Sequence, residues 1–281
     1  MQRQTDVYGE LLDAAHQIYR DACPLDALTR SFLIGVAETA ARRWREPDQS
    51  LWEMRGPSRH FLHSKLMCWL GLDRAIALAQ MLGATGRVAD WTCTRDQIRA
   101  EILTRGWNPR VGAFTQTFTG TDLDASVLMM PLVGFLPGDD PRVRATVDAV
   151  ATRLTDARGL VHRYNAADGL PGEEGTFLLC TFWLAHALAF TGEGAHAKRV
   201  FQTAASYAND VGLLAEEVDS VTGEPIGNFP QAFSHCCRRR GRPGGAREMT
   251  SSALPSSLAQ VRSRRWCSCG RWSGPLLRGR P

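Results

Sequence analysis

Apolar residues recur at helical spacing along most of the first 235 positions, with polar residues filling the opposite faces. Val7, Leu11, Ala15 and Ile18 share one face, and Leu25, Leu28, Phe32 and Val36 share another, so each segment predicts an amphipathic helix. Two runs differ. Residues 61–82 and 176–190 are apolar on nearly every side, the pattern of helices buried between layers. One-sided helices are predicted at 92–105 (Ile98, Ile102), 141–155 (Val143, Val147, Val150, Leu154) and 195–211 (Val200, Ala204, Tyr207, Val211). From residue 61 onward, buried and one-sided helices therefore alternate. That predicts an all-α, two-layer array with an inner ring shielded by an outer one. No repeat at a fixed period of about 30 to 50 residues is evident, which argues against a solenoid. The best strand candidate is the short run AFTQTF at 113–118.

The connections hold the unusual residues. Segments 48–61, 162–177 and 213–235 are rich in Gly, Pro, aromatic residues and acids. Long loops that lead into buried helices commonly assemble a site at one end of a bundle.

Composition narrows the class without naming it. The 281 residues are 44% hydrophobic and 22% charged, enough for one large domain or two small ones, and excluding disorder throughout or a minimal disulfide scaffold. No run of about 18 apolar residues occurs, and MQRQTDVYGE has no signal-peptide character, so no membrane partner is expected and the cytoplasm is the default compartment. The net charge of +4 is uneven: residues 236–281 hold eleven Arg and one acid, Glu248, for +10, leaving −6 on residues 1–235. An Arg cluster can bind phosphate. Here it stands among Gly, Pro and Ser with no Lys, and Lys65 and Lys198 are the only lysines among 33 basic residues. A GC-rich gene read out of frame explains that composition better than a nucleic-acid arm, so the domain is expected to span 1–235 and the tail 236–281 to be frameshifted or disordered. Cys23, Cys68, Cys93 and Cys180 fall in predicted helices and are expected to be buried and reduced.

Each residue with chemical potential has an ordinary reading beside the functional one. Glu53, in Trp-Glu-Met-Arg before a Gly-Pro turn, has the makings of a general acid if Trp52 strips water from its carboxyl; otherwise it is a surface acid paired with Arg55. Glu216 and Glu217 are a second acidic pair, and inverting glycoside hydrolysis needs two carboxyl groups; solvated loops hold such pairs too. Glu173 and Glu174 precede the most apolar helix, where its dipole alone favours acids. Arg163 beside Tyr164 suits sugar hydroxyls, or a surface salt bridge. His60 and His63 share a helical face, but without HExxH or Cys-x-x-Cys no metal and no cofactor is expected.

The run LWEMRGPSRHFLHSKLMCWLGLDRAIALA at 51–79 closely resembles the acid loop and following helix of bacterial family 15 glycoside hydrolases, the glucoamylase and trehalase group. DGLPGEEGTFLLCTFWLAHAL at 168–188 and NDVGLLAEEVDSVTGEPIGNFPQAFSH at 209–235 resemble two further family blocks, and the likeness covers residues 5–235. The resemblance implies an (α/α)6 barrel and inverting hydrolysis of a terminal α-glucosidic bond, in trehalose, a maltooligosaccharide or a related α-glucoside. It places Glu53 as general acid, Glu216 as base, Arg163 as a substrate contact and Trp52 in the same pocket, with Arg55 and Glu174 as further contacts. Val218 departs from the family's usual tyrosine, removing a ring beside the base. The segments before residue 5 and after 235 that would close the ring have no counterpart. Apolar helix faces left open in this way predict self-association and weak or no turnover, the alternative being an inactive fragment or a helical module that binds a glycan or a protein.

Overall fold

The computed structural model describes residues 2–19, 25–166 and 174–240. The helices are α1 (Val7–Tyr19), α2 (Ala27–Arg43), α3 (Leu62–Leu82), α4 (Val88–Glu101), a single turn α5 (Met129–Leu132), α6 (Pro141–Arg153), α7 (Leu178–Phe190), α8 (Gly194–Ser206) and α9 (Ala232–Arg240). They form two rows. α1, α3, the segment Ala125–Leu132, α7 and α9 follow one another along an inner row, and α2, α4, α6 and α8 lie outside it. This is part of a six-hairpin (α/α)6 architecture, with four inner–outer pairs and α9 among the described residues.

Sequence chemistry sets the helix ends. Asp26 and Asp140 cap α2 and α6 by accepting from the Thr29 and Arg142 backbone N–H groups, each at 2.8 Å. Gly83 ends α3 at φ +68°, a conformation that favours glycine. α3 buries every residue from Leu62 to Leu72 and only one face beyond it, α7 buries every residue from Leu178 to Leu188, and α8 buries only Ala197, Val200 and Ala204. The helix expected over 92–105 instead ends at Glu101 and opens into a wider turn at Ile102–Gly106. There Gly106 lies so close to α3 that a Cβ would come within 2.7 Å of the Leu62 side chain. At the far end α9 continues past residue 235 to Arg240. Residues 241–281 of the expected tail lie outside the described residues.

The connections form more β structure than expected. β1 (Trp107–Asn108) pairs with β2 (Ala113–Phe114), so the AFTQTF strand is only two residues long. β3 (Thr176–Phe177), β4 (Glu217–Val218) and β5 (Pro225–Ile226) make an antiparallel three-stranded sheet in that order. More important is how the loops leading into the inner helices are laced together. Leu62 N–H donates to Gln116 O at 2.8 Å, Ala125 N–H to Arg163 O at 2.8 Å, and Leu178 N–H to Glu216 O at 3.1 Å. Described parts of the three loops flagged by composition meet on one rim, at the N-terminal ends of the inner helices: Trp52 packs on Tyr164 and Phe177, and Phe177 pairs with Glu217.

Two buried titratable groups where α1 meets α3 make opposite demands on pH. Burial, with help from Glu10 and Asp48, pushes the Asp6 carboxyl from 3.8 up to about 7. Between those values the unfolded chain has lost this proton and the native chain keeps it, so stability falls as pH rises through the window. Burial pushes His63 from 6.5 down to about 4, so there the native ring stays neutral while the unfolded one is protonated, and stability falls as pH drops. The two slopes oppose each other where the windows overlap. Asp6→Asn is expected to expose the acid limb, with stability declining from about pH 6.5 to 4.5. Guanidinium unfolding at several pH values checks this, and a variant as pH-insensitive as the parent in that range would contradict it.

The cysteines divide. Cys68 and Cys180 are buried thiols, and burial pushes the Cys68 thiol up to about 12, which makes it a poor nucleophile. Cys93, expected in the interior, is exposed on the outer helix α4. Cys23 lies outside the described residues.

Candidate active site

The loop before α3 is closed at its base by Asp48 and Arg59, whose backbones exchange two hydrogen bonds of 2.9 Å. The buried Asp48 carboxylate also accepts from Thr5 N–H at 3.0 Å and Thr5 Oγ1 at 2.8 Å, tying the loop to the chain before α1. Within it, Ser50 and Glu53 adopt φ of +66° and +53°, costly for residues with a Cβ. Glu53 N–H donates to Ser50 O at 3.2 Å and Met54 N–H to Gln49 O at 2.8 Å, holding the turn.

This geometry separates Trp52 from Glu53. The Trp52 ring packs against Phe177 at 5.7 Å, Trp183 at 6.2 Å and Tyr164 at 6.4 Å. Its indole N–H donates to both carboxylate oxygens of the buried Asp124, at 2.9 and 3.1 Å. Glu53 and Arg55 are exposed. The expectation that Trp52 shields the Glu53 carboxyl therefore fails, because the ring is taken up by the aromatic cluster and by Asp124.

Arg163 is the cationic centre of the rim. Its guanidinium lies over Phe177 at 5.3 Å, Trp52 at 5.6 Å and Tyr164 at 5.9 Å. Nη2 pairs with Glu174 and stands 3.4 Å from Glu217. Glu174 is thus an ion-pair partner and not a helix cap: α7 begins only at Leu178, behind strand β3, and has no side-chain cap. Glu173 lies outside the described residues. Sequence reasoning left Glu217 without a role, yet it faces Arg163. Desolvation raises its pKa, countered by Arg163 and reinforced by Glu216. The available signal was strand alternation, which sends adjacent acids to different surroundings.

Glu216 is held by donors on both oxygens. Oε2 accepts from the Asn228 backbone N–H and Nδ2, each at 2.9 Å, and Oε1 from Gln231 Nε2 at 3.0 Å. Gly227 makes this possible, with φ +75° and a position where a Cβ would stand 2.8 Å from Glu216 Oε2. Val218 is fully buried in a cluster with Leu160, Leu178 and Phe182. Glu53 and Glu216 are 163 positions apart, but only a short path joins their loops: Trp52 packs on Phe177, which pairs with Glu217 in the sheet. His60 stacks on Phe118 at 6.3 Å and His63 is buried. Among the described residues no group of three or more His, Cys, Asp or Glu side chains forms a potential metal site.

The sequence profile of glycosyl hydrolases family 15 matches residues 1–200 and 193–238. The chain belongs to this family. Its relatives include the trehalase of Mycolicibacterium smegmatis, 45% identical over 239 residues, covering 83% of this chain and 35% of that protein. The Thermoplasma acidophilum trehalase is 34% identical over 234 residues, covering 83% of this chain and 40% of that one. The chain therefore spans well under half the length of these curated relatives. Among solved structures, a wild-type glycosidase superposes with a TM-score of 0.70 at 22% identity, over 84% of this chain and 65% of that one. A bacterial glucoamylase complexed with acarbose also gives 0.70, at 16% identity, over 85% of this chain and 40% of that one. At these identities the superpositions establish the fold. Among the described residues no helix of this family 15 chain is long and apolar enough to cross a membrane.

Proposed function

We propose that the site hydrolyses the α-glucosidic bond of trehalose with inversion, Glu53 acting as general acid and Glu216 as general base. The observation that carries the reading is the way Glu216 is held: three donors orient its carboxylate, one position before the Glu217 that faces Arg163, while leaving acceptor capacity for a water molecule. Kinship with trehalases supports trehalose over a maltooligosaccharide as the substrate. Glu53, exposed on its turn, is accessible to the glycosidic oxygen. In the proposed cycle Glu53 protonates the leaving oxygen, while Glu216 takes a proton from the water attacking the anomeric carbon on the opposite face. Arg163 with Glu174 and Glu217 supplies donors and acceptors for sugar hydroxyls, and Trp52 an apolar wall. Arg55 is a further contact from the acid loop. The protein would act on its α-glucoside without a cofactor, in the cytoplasm, and with no nucleic-acid or membrane partner.

Inversion has a distinctive product. Cleaving one bond of α,α-trehalose releases one glucose as the β-anomer, from the attacked ring, and the other as the α-anomer, from the leaving group. Proton NMR within the first minutes should therefore show equal α- and β-glucose, whereas retention would give α alone.

A second reading, a self-associating helical module without turnover, is favoured by the apolar side chains left in solvent. Leu28 is 80% exposed, Ile18 58% and Phe32 55% on α1 and α2, and Phe233 64% on α9. Trehalose binding without glucose release, together with concentration-dependent oligomers in sedimentation velocity, would select it.

A further inference from the structure

We infer that Asp124 is a positioning residue for the reaction, setting the Trp52–Glu53 turn against the Arg163–Tyr164 segment through the indole N–H of Trp52. The inference rests on the proposed role of Glu53. Asp124 is 1% exposed and lies at the start of the turn Ala125–Leu128. Its carboxylate accepts from Ser126 N–H at 2.8 Å, Gln116 Nε2 at 3.1 Å and Trp52 Nε1 at 2.9 and 3.1 Å.

The first two donors are local, and the Ser126 bond alone would serve a cap. The third comes from 72 positions away, next to the candidate acid, and it engages both oxygens. Meanwhile the Asp124 backbone bridges to Tyr164, and the next N–H, of Ala125, donates to Arg163 O at 2.8 Å. One buried residue thus touches the Arg163–Tyr164 segment and the ring that precedes Glu53.

The turn needs such a tie. Glu53 sits at φ +53°, and a residue with a Cβ stays there only when its surroundings over-determine it. Backbone hydrogen bonds inside the turn hold its shape, Gln2 Nε2 ties Glu53 O to the chain before α1 at 3.1 Å, and the indole bond ties the turn to the Arg163 side of the rim. Without that bond the Trp52 ring is held on the rim by its Phe177, Trp183 and Tyr164 contacts alone, and the turn that ends in Glu53 loses its polar tie to that side. A misplacement of about 1 Å can cost about 10²-fold in rate.

The test uses the full chain and the variants Asp124→Asn, Trp52→Phe and the two combined, with trehalose kcat, KM and melting midpoint measured for each. Trp52→Phe keeps a ring and deletes the N–H, so it carries the prediction even if Asp124→Asn fails to fold. Each single variant is expected to lower kcat by about 10- to 100-fold with KM changed less than about 3-fold, and the double variant to be no slower than the slower single. An unchanged kcat, a loss confined to the melting midpoint, or single effects that multiply in the double variant would overturn the inference. If the unaltered chain releases no glucose, the proposed function falls and this inference with it. An active chain with fully active variants removes the inference alone.

Discussion

Glu53→Gln and Glu216→Gln are each expected to lower glucose release from trehalose by about 10²- to 10⁴-fold relative to the unaltered chain, the range for losing a positioned general acid or base. The two losses should differ in kind. A glutamine at position 53 keeps the shape of the turn but has no acidic proton for the glycosidic oxygen. α-Glucosyl fluoride, whose leaving group needs little protonation, should therefore be cleaved by Glu53→Gln at close to the parental rate. No such rescue is expected for Glu216→Gln, because the attacking water still lacks its base. Glu216 also accepts from three donors, and a glutamine there turns one acceptor into a donor facing N–H groups. Some local loosening should accompany its loss of activity, visible as a lower melting midpoint. Equal rescue of both variants by the fluoride would remove the distinct roles assigned to them.

The largest expected effect on stability comes from a residue far from the rim. Gly9 of α1 and Gly71 of α3 face each other where these two inner helices cross. A Cβ on Gly9 would stand 2.2 Å from the Met67 carbonyl oxygen and 2.7 Å from its carbon, both backbone atoms that no rotamer change can clear. Gly9→Ala therefore has to push α1 off α3. Overpacking in a tight interior costs about 1 to 3 kcal/mol, and the backbone collision places this case at or above about 3. For a domain of this size that corresponds to a fall in melting midpoint of about 6 to 12 °C. Gly35→Ala is the matching control, since the exposed Gly35 of α2 has nothing within 4 Å of its Cβ position. It should gain up to about 1 kcal/mol from helix propensity alone. Melting curves of the two variants should move in opposite directions, and a neutral Gly9→Ala would show that the helices are less closely packed than described.

Both predictions concern features of unequal legibility. The inner and outer helices were readable because burial leaves a mark on every residue of a run: α3 and α7 are apolar all round, and α8 on one side only. The loops that build the rim were also readable, as breaks in helical periodicity filled with Gly, Pro and acids. Glu53, Glu216, Arg163 and Trp52 stood out by their place in motif-like segments. Asp124 did not, for it is one acid in a short polar stretch before an apolar run, and nothing nearby reports that its partner is 72 positions away. Glu217 was hidden by its neighbour, since two adjacent acids look alike until a strand turns one toward Arg163. Gly9 reads as a mild helix defect until the Met67 backbone is seen against it.

What the sequence by itself determined is the class of element at each stretch and the chemical types available in each loop, because periodicity, capping and turn preferences act within a few residues. Only the tertiary structure decided which carboxylate faces Arg163, that Trp52 turns to Asp124 and leaves Glu53 exposed, and how closely α1 approaches α3. Those outcomes depend on contacts between segments tens to more than a hundred positions apart, where burial and hydrogen-bond satisfaction, acting across the fold, choose among side chains that local pattern treats as equivalent.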